Sequence, residues 1–189
     1  MGEMIESGAA DPHSDHVLAF CEEVAPGSAL AVVPCLQEPG AAMADCFVTV
    51  ADKVRAEGGD SVIGWAIWEA PGKLIEAEFH AVWRQPSGAL LDVAARPMFV
   101  PSITFLADPG RTYKGQQVDN VRRPLSRDPR VRELIYLQGR RFAMLNAGAR
   151  ADQHAVVLGK REQRDYDRMM DRIERLQRSL FRGTWRPME

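Results

Sequence analysis

The stretch "KLIEAEFHAVWR" at 73–84 alternates apolar and polar residues with period two. Ile75, Ala77, Phe79, Ala81 and Trp83 fall on one face, and Glu76, Glu78, His80 and Val82 on the other. Successive side chains of a strand point to opposite faces, so this pattern belongs to a strand and fits no helix. "QPSG" follows as a hairpin loop, and "ALLDVAA" at 89–95 returns. An antiparallel hairpin is the first element the chain must accommodate. Two registers are compatible with its loop. Pairing Trp83 with Ala89 sets His80 directly opposite Asp92. Pairing Trp83 with Leu91 makes them diagonal neighbours on the same face. In either register an imidazole and a carboxylate come within reach of each other.

The rest of the chain supplies partners for that hairpin. "SVIGWAIWE" (61–69) and "ALAVVPCL" (29–36) read as strands, and Pro71-Gly72 as a turn. "MFVPSITFLAD" reads as one or two strands broken at Pro101, and 109–130 as a long polar loop. "HVLAFCEEVA" (16–25) reads as a short helix. Phe47, Val50, Ala51 and Val54 recur at helical spacing, with Asp45 as N-cap and Gly58-Gly59 as the stop. This helix begins at Cys46. A further helix is expected over 131–147. The most periodic one runs over 160–183, with Tyr166, Met169, Met170, Ile173, Leu176 and Leu180 in one stripe and Gly183 at its end. Residues 1–15 read as a frayed or disordered tail. The expected fold class is therefore α+β: an antiparallel sheet with a packed helix carrying an N-terminal Cys, plus a C-terminal helical segment.

Cys46, His80 and Asp92 are the candidate catalytic residues. A thiol in the first turn of a helix feels the positive end of the dipole, which favours the thiolate. An adjacent imidazole would take its proton, and a carboxylate would fix the ring's tautomer and orientation. Glu78 shares the face of His80 and is a candidate for binding a cationic or amide group. Trp65 and Trp68 are candidates for a cleft wall and rim, and Gln37 is a further candidate for binding substrate. Cys21 and Cys35 read as structural thiols, His13 and His16 as tail residues, and His154 has no assigned role.

The order of these features resembles the transglutaminase-like branch of the papain-like cysteine enzymes. "DCFVTVADKVRAEGG…VIGW" is similar to that branch's nucleophile helix and first core strand. "FHAVWR…GALLDVAA" is similar to its His strand and Asp strand. The intervals, 34 residues from Cys46 to His80 and 12 from His80 to Asp92, are similar to those of compact members such as arylamine N-acetyltransferase-like enzymes. The similarity covers residues 41–95. The Arg-Gly-Gly-x-Cys box of the acetyltransferases is absent, and Gln37 lies nine residues before the Cys, further than papain-type enzymes place their oxyanion Gln. The resemblance implies a domain over 16–155, a C-terminal amphipathic helix over 156–189, and acyl chemistry on a small-molecule or peptide amide or thioester. Hydrolysis, transamidation and acyl transfer all remain open, and no cofactor is implied.

Two other readings use the same residues. One is a non-catalytic binding or interaction module that kept the fold. The other is a zinc site made from Cys46, His80 and Glu78 with Cys35, although no C-x-x-C, H-x-x-x-H or H-E-x-x-H motif is present. "APGKLIEA" lacks the spacing of a phosphate loop and runs into a strand.

Charge bounds the partners. Residues 1–60 carry two Lys/Arg against eleven Asp/Glu, and 160–186 carry nine against five. The basic stretch is interleaved with acids and has no aromatic platforms, so nucleic acid is not an expected partner. No apolar run reaches the length that spans a bilayer, so no membrane partner is expected. The N-terminal stretch has neither the basic nor the apolar region of a signal peptide. Three Cys without framework spacing point to free thiols in a reducing, cytoplasmic compartment. The stripe at Tyr166–Leu180 either packs on its own domain or forms a homodimer through the C-terminal helix.

Overall fold

A computed structural model describes residues 8–97, 100–153 and 156–181. The protein is α+β, with four helices and a seven-stranded sheet among the described residues. In chain order the elements are β1 (Gly8–Ala9), α1 (Asp15–Val24), β2 (Leu30–Pro34), α2 (Cys46–Glu57), β3 (Asp60–Ala70), β4 (Leu74–Arg84), β5 (Leu90–Leu91), β6 (Ser102–Ala107), β7 (Val121–Pro124), α3 (Pro129–Leu145), a short 3-10 turn (Gly148–Asp152) and α4 (Lys160–Leu180). They form two compact units. One comprises Gly8–Glu69 and Glu76–Tyr113; the other contains Ala70–Ile75 and the chain from Lys114 onward.

In the first unit the strands follow the order β2-β6-β3-β4-β5, with β1 added to β3. The β4–β5 hairpin takes the register that pairs Trp83 with Leu91 and Arg84 with Leu90. Gln85 and Ala89 close the loop through a 2.9 Å backbone hydrogen bond. His80 and Asp92 are thus diagonal neighbours. The sheet also curls until its two outer strands meet. Cys35 and Asp92 form a parallel bridge, held by Asp92 N–H to the Pro34 carbonyl at 2.9 Å and Leu36 N–H to the Asp92 carbonyl at 2.8 Å. Val33, Val62, Ala66, Val82, Ile103 and Phe105 fill the inside of the curl. Each such side chain, fully buried, is worth ~1.5–3 kcal/mol.

Helix α2 packs on the outside. Val50 is buried against Ala81, Trp83 and Val93, flanked by Phe47, Val54 and Leu91. The alternation of β4 made this choice, because Ala81 and Trp83 face outward where His80 and Val82 face inward. The helix stops at Gly58, whose φ of 76° favours glycine. The Trp83 indole donates to the Gly58 carbonyl at 2.9 Å and fixes the helix end to the strand.

Three sequence expectations change. The tail expected over 1–15 is ordered from Gly8: β1 pairs with Trp68 and Glu69, Ala10 N–H donates to the Ile67 carbonyl, and Asp11 accepts from His13 N–H and the Ser14 hydroxyl. His16 is accordingly placed on α1, 3.0 Å from Glu69. The segment around Pro101 is one strand, Ser102–Ala107; the Met98 and Phe99 that precede it lie outside the described residues. The loop expected over 109–130 contains β7, whose alternation of exposed and half-buried residues is too short to register as a pattern.

In the second unit α3 and α4 pack along each other. Val131, Leu134, Leu137, Met169, Ile173, Leu176 and Leu180 are buried together with Leu74. Asp128 caps α3 by accepting from Arg130 N–H, with Pro129 opening the helix. The stripe expected on the C-terminal helix is the buried face of α4, with Tyr166 and Met170 at its margin. Gly183, expected to end it, lies outside the described residues; the helix closes at Leu180.

Candidate active site

Asp92 is the centre of the polar cluster and has no solvent exposure. It follows β5 directly, where the curled sheet closes. Its Oδ1 accepts from His80 Nε2–H at 3.0 Å and from Ala94 N–H at 3.1 Å. Its Oδ2 accepts from Arg96 Nη2 at 2.6 Å, from Arg96 Nε at 3.1 Å and from the Cys35 thiol at 3.6 Å. A carboxylate only accepts, so the ring proton resides on Nε2. Arg96 Nη2 lies 3.2 Å from the same Nε2. Both are donors, so they converge on Asp92 and do not bond to each other.

Nε2 is committed to Asp92, which leaves Nδ1 of His80 for the thiol. Cys46 is near enough to the ring to interact with it. The ring is 3% exposed, whereas Cys46 is half-buried. Burial, the largest influence on His80, lowers its pKa. The hydrogen bonds to Asp92 and Cys46, with the charges of both, outweigh burial and raise the pKa to about 9. Burial likewise works against the charged form of Asp92, but His80 and Arg96 hold its pKa down to about 2. At Cys35, burial and then the charge of Asp92 push the thiol up to about 11, and it stays protonated. Cys21, buried at α1, is pushed up to about 11 by burial alone.

The first turn of α2 contributes backbone as well as sulfur. Asp45 occupies the N-cap position, but its side chain makes no capping hydrogen bond. The Thr49 hydroxyl and amide both turn back to the Asp45 carbonyl. Ala44 holds φ at 59°, a left-handed conformation that costs an L residue about 1–2 kcal/mol. That strain sits two residues before Cys46, where the chain turns from its bridge at Met43 and Ala95 into the helix. A groove of about 400 Å³ runs along α2 between residues 38–42 and the side chains of Asp45, Val48 and Asp52.

The other candidate residues divide. Trp68 and Glu78 flank the cluster: the indole donates to Glu78 Oε2 at 2.8 Å, and that oxygen is 4.0 Å from Arg96 Nη1. The Arg96 guanidinium lies over the Trp68 ring, 4.9 Å from its centroid. Gln37 donates to the backbone carbonyl of Arg96 at 3.2 Å, so its amide is engaged there. Trp65 belongs to the outer face, packed on Phe79 and donating to Asp108. Among the described residues, no three His, Cys, Asp or Glu side chains are placed to hold a metal ion. His154 lies outside the described residues.

Sequence reasoning gave Arg96 no role. The signal was a lone cation four residues after Asp92, inside the otherwise apolar "ALLDVAARPMFV". A charge there needs a buried counter-charge, and Asp92 is the only carboxylate in that stretch.

No family model, no curated protein and no solved structure matches this chain.

Proposed function

We propose that the protein is a cysteine-dependent acyl-transfer enzyme acting on an amide, ester or thioester of a small molecule or peptide in the cytoplasm. The observation that carries this reading is that the buried His80 ring bonds Asp92 through Nε2 and also interacts with Cys46. Cys46 would be the nucleophile, His80 the general base and then acid, and Asp92 the orienting group. The Cys46 proton passes to His80 Nδ1 as the sulfur attacks the carbonyl carbon. The resulting oxyanion is placed at the Cys46 backbone N–H, at the start of α2, where the helix dipole favours negative charge. His80 then gives its proton to the leaving group, and a thioester acyl-enzyme remains. Water or a second acceptor, deprotonated by His80, releases the acyl group. The order Cys, His, Asp along the chain and the resemblance to transglutaminase-like enzymes support the same chemistry.

A second reading, a binding module on the same scaffold, is favoured by one observation. Gln37, the glutamine that precedes Cys46 at more than the papain-type distance, uses its amide on the Arg96 carbonyl.

The test is the rate of iodoacetamide labelling of native protein against pH, with peptide mapping, for wild type and His80→Ala. Cys46 is expected to label well at pH 6, below the roughly 8.5 pKa of a free thiol. The His80 change should slow it at least tenfold. If Cys46 is inert in the native protein, or labels equally in both proteins, the enzyme reading is wrong and the binding module stands.

A further inference from the structure

We propose that Arg96 is a positioning residue that shares the buried charge of Asp92 with His80 and so limits how tightly the imidazole holds its proton. The proposal rests on the acyl-transfer reading: a ring that must take up and then release a proton works better when it is not the sole counter-ion of a buried carboxylate.

The argument begins with charge. Asp92 is fully buried, and an uncompensated carboxylate there would cost several kcal/mol. Two cations can answer it, Arg96 and a protonated His80. The groups facing the His80–Asp92 pair are Cys46 from the first turn of α2, Cys35 at the end of β2, Glu78 and His80 itself on β4, and Arg96 following β5. Cys35 is a protonated thiol and supplies only a weak hydrogen bond. Glu78 is negative and is turned to Trp68. Arg96 is therefore the only permanent cation at the pair among the described residues.

Its geometry suits the task. Two of its nitrogens converge on Oδ2, leaving Oδ1 to His80 and Ala94. The guanidinium plane is supported by the Trp68 ring, and the Arg96 carbonyl is held by Gln37. The side chain is 11% exposed, so water screens the pair weakly. With Arg96 in place, Asp92 is neutralised whether or not the ring is protonated. The ring can then take up or lose a proton without leaving Asp92 unbalanced. Without Arg96, Asp92 has the imidazolium as its sole counter-ion. His80 would then hold its proton to higher pH and give it up less readily to the leaving group.

The experiment follows the His80 ring proton by NMR against pH in the full chain, for wild type, Arg96→Met, Arg96→Gln and Arg96→Lys. Both uncharged variants should move the His80 midpoint alkaline, with proton affinity raised at least tenfold. Arg96→Lys restores the charge without the paired contact and should stay within about threefold of wild type. If Arg96→Met fails to fold, the hydrogen-bonding Arg96→Gln decides. An unchanged or acid-shifted midpoint in the uncharged variants overturns the proposal. So does an alkaline shift in Arg96→Lys as large as theirs. Failure of the enzyme reading is recognised separately: Cys46 labelling would not respond to His80→Ala, whatever the Arg96 variants do to the ring.

Discussion

His80 and Asp92 are the residues whose ionisation should show in the stability of the fold. His80 has a folded pKa of about 9 against an ordinary 6.5. Such a group contributes stability that is fully present below pH 6.5 and is lost as pH rises through about 9. The full effect is on the order of 3 kcal/mol, from 1.36 kcal/mol per pH unit. Urea midpoints of wild type and His80→Gln should therefore converge between pH 6.5 and 9.5. A gap that stays constant across that window would mean the ring is not stabilised by its partners. Asp92 has the opposite sign: its contribution is present above pH 3.8 and lost as pH falls through about 2. At this scale the sequence was partly legible. His80 and Asp92 could be joined because side-chain parity on a hairpin survives either register. Cys46 could be suspected because Gly58-Gly59 and the spacing of Phe47 to Val54 locate the helix. Arg96 was legible only as a lone cation in need of a counter-charge; its packing on Asp92 is fixed where the chain after β5 pairs with the end of β2, which no periodicity encodes.

Among the elements, β4 and α4 were the most legible, and for one reason. Each has a long stripe of constant period, and burial enforces it: Ile75, Ala77 and Ala81 in β4, Met169, Ile173 and Leu176 in α4. The strands β1 and β7, of two and four residues, are too short to carry a period and are held by backbone hydrogen bonds. The curl of the sheet was equally hidden, because closure depends on what a strand lacks. Gly64 of β3 pairs with Ala107 of β6. A Cβ placed there would sit 2.1 Å from the Leu106 carbonyl oxygen and 2.8 Å from the Phe105 ring. Both neighbours lie on β6, so relief would require the two strands to part. Gly64→Ala should cost about 3 kcal/mol or more, at the upper end of overpacking. Thermal denaturation followed by circular dichroism would measure it. A melting temperature within a degree of wild type would show that β3 and β6 are not packed as closely as described.

At the scale of the whole molecule, the division into units does not follow the chain. The β3–β4 turn, Ala70–Ile75, belongs with the segment after Lys114, and Leu74 is buried among α3 and α4 side chains. Sequence reading places boundaries where composition changes, and composition does not change at this turn. The same packing bears on association. A homodimer through the C-terminal helix would need the Met169–Leu180 stripe, but that stripe is already buried on α3 within the chain. Its charged face is also occupied: Arg172 pairs with Glu133 through two hydrogen bonds of 2.7 and 2.6 Å, and Arg150 holds Glu162. One feature open to association is the charge asymmetry between the acidic first third and the basic C-terminal stretch, which salt screens beyond about 10 Å at 0.1 M. Sedimentation at about 20 μM is expected to show a monomer at roughly 20 and roughly 300 mM NaCl, conditions that bracket this screening. A dimer only at low salt would place the contact on the oppositely charged ends. A dimer at both salts would require an apolar contact, and Val32 and Leu36, 58% and 66% exposed, are where to substitute first.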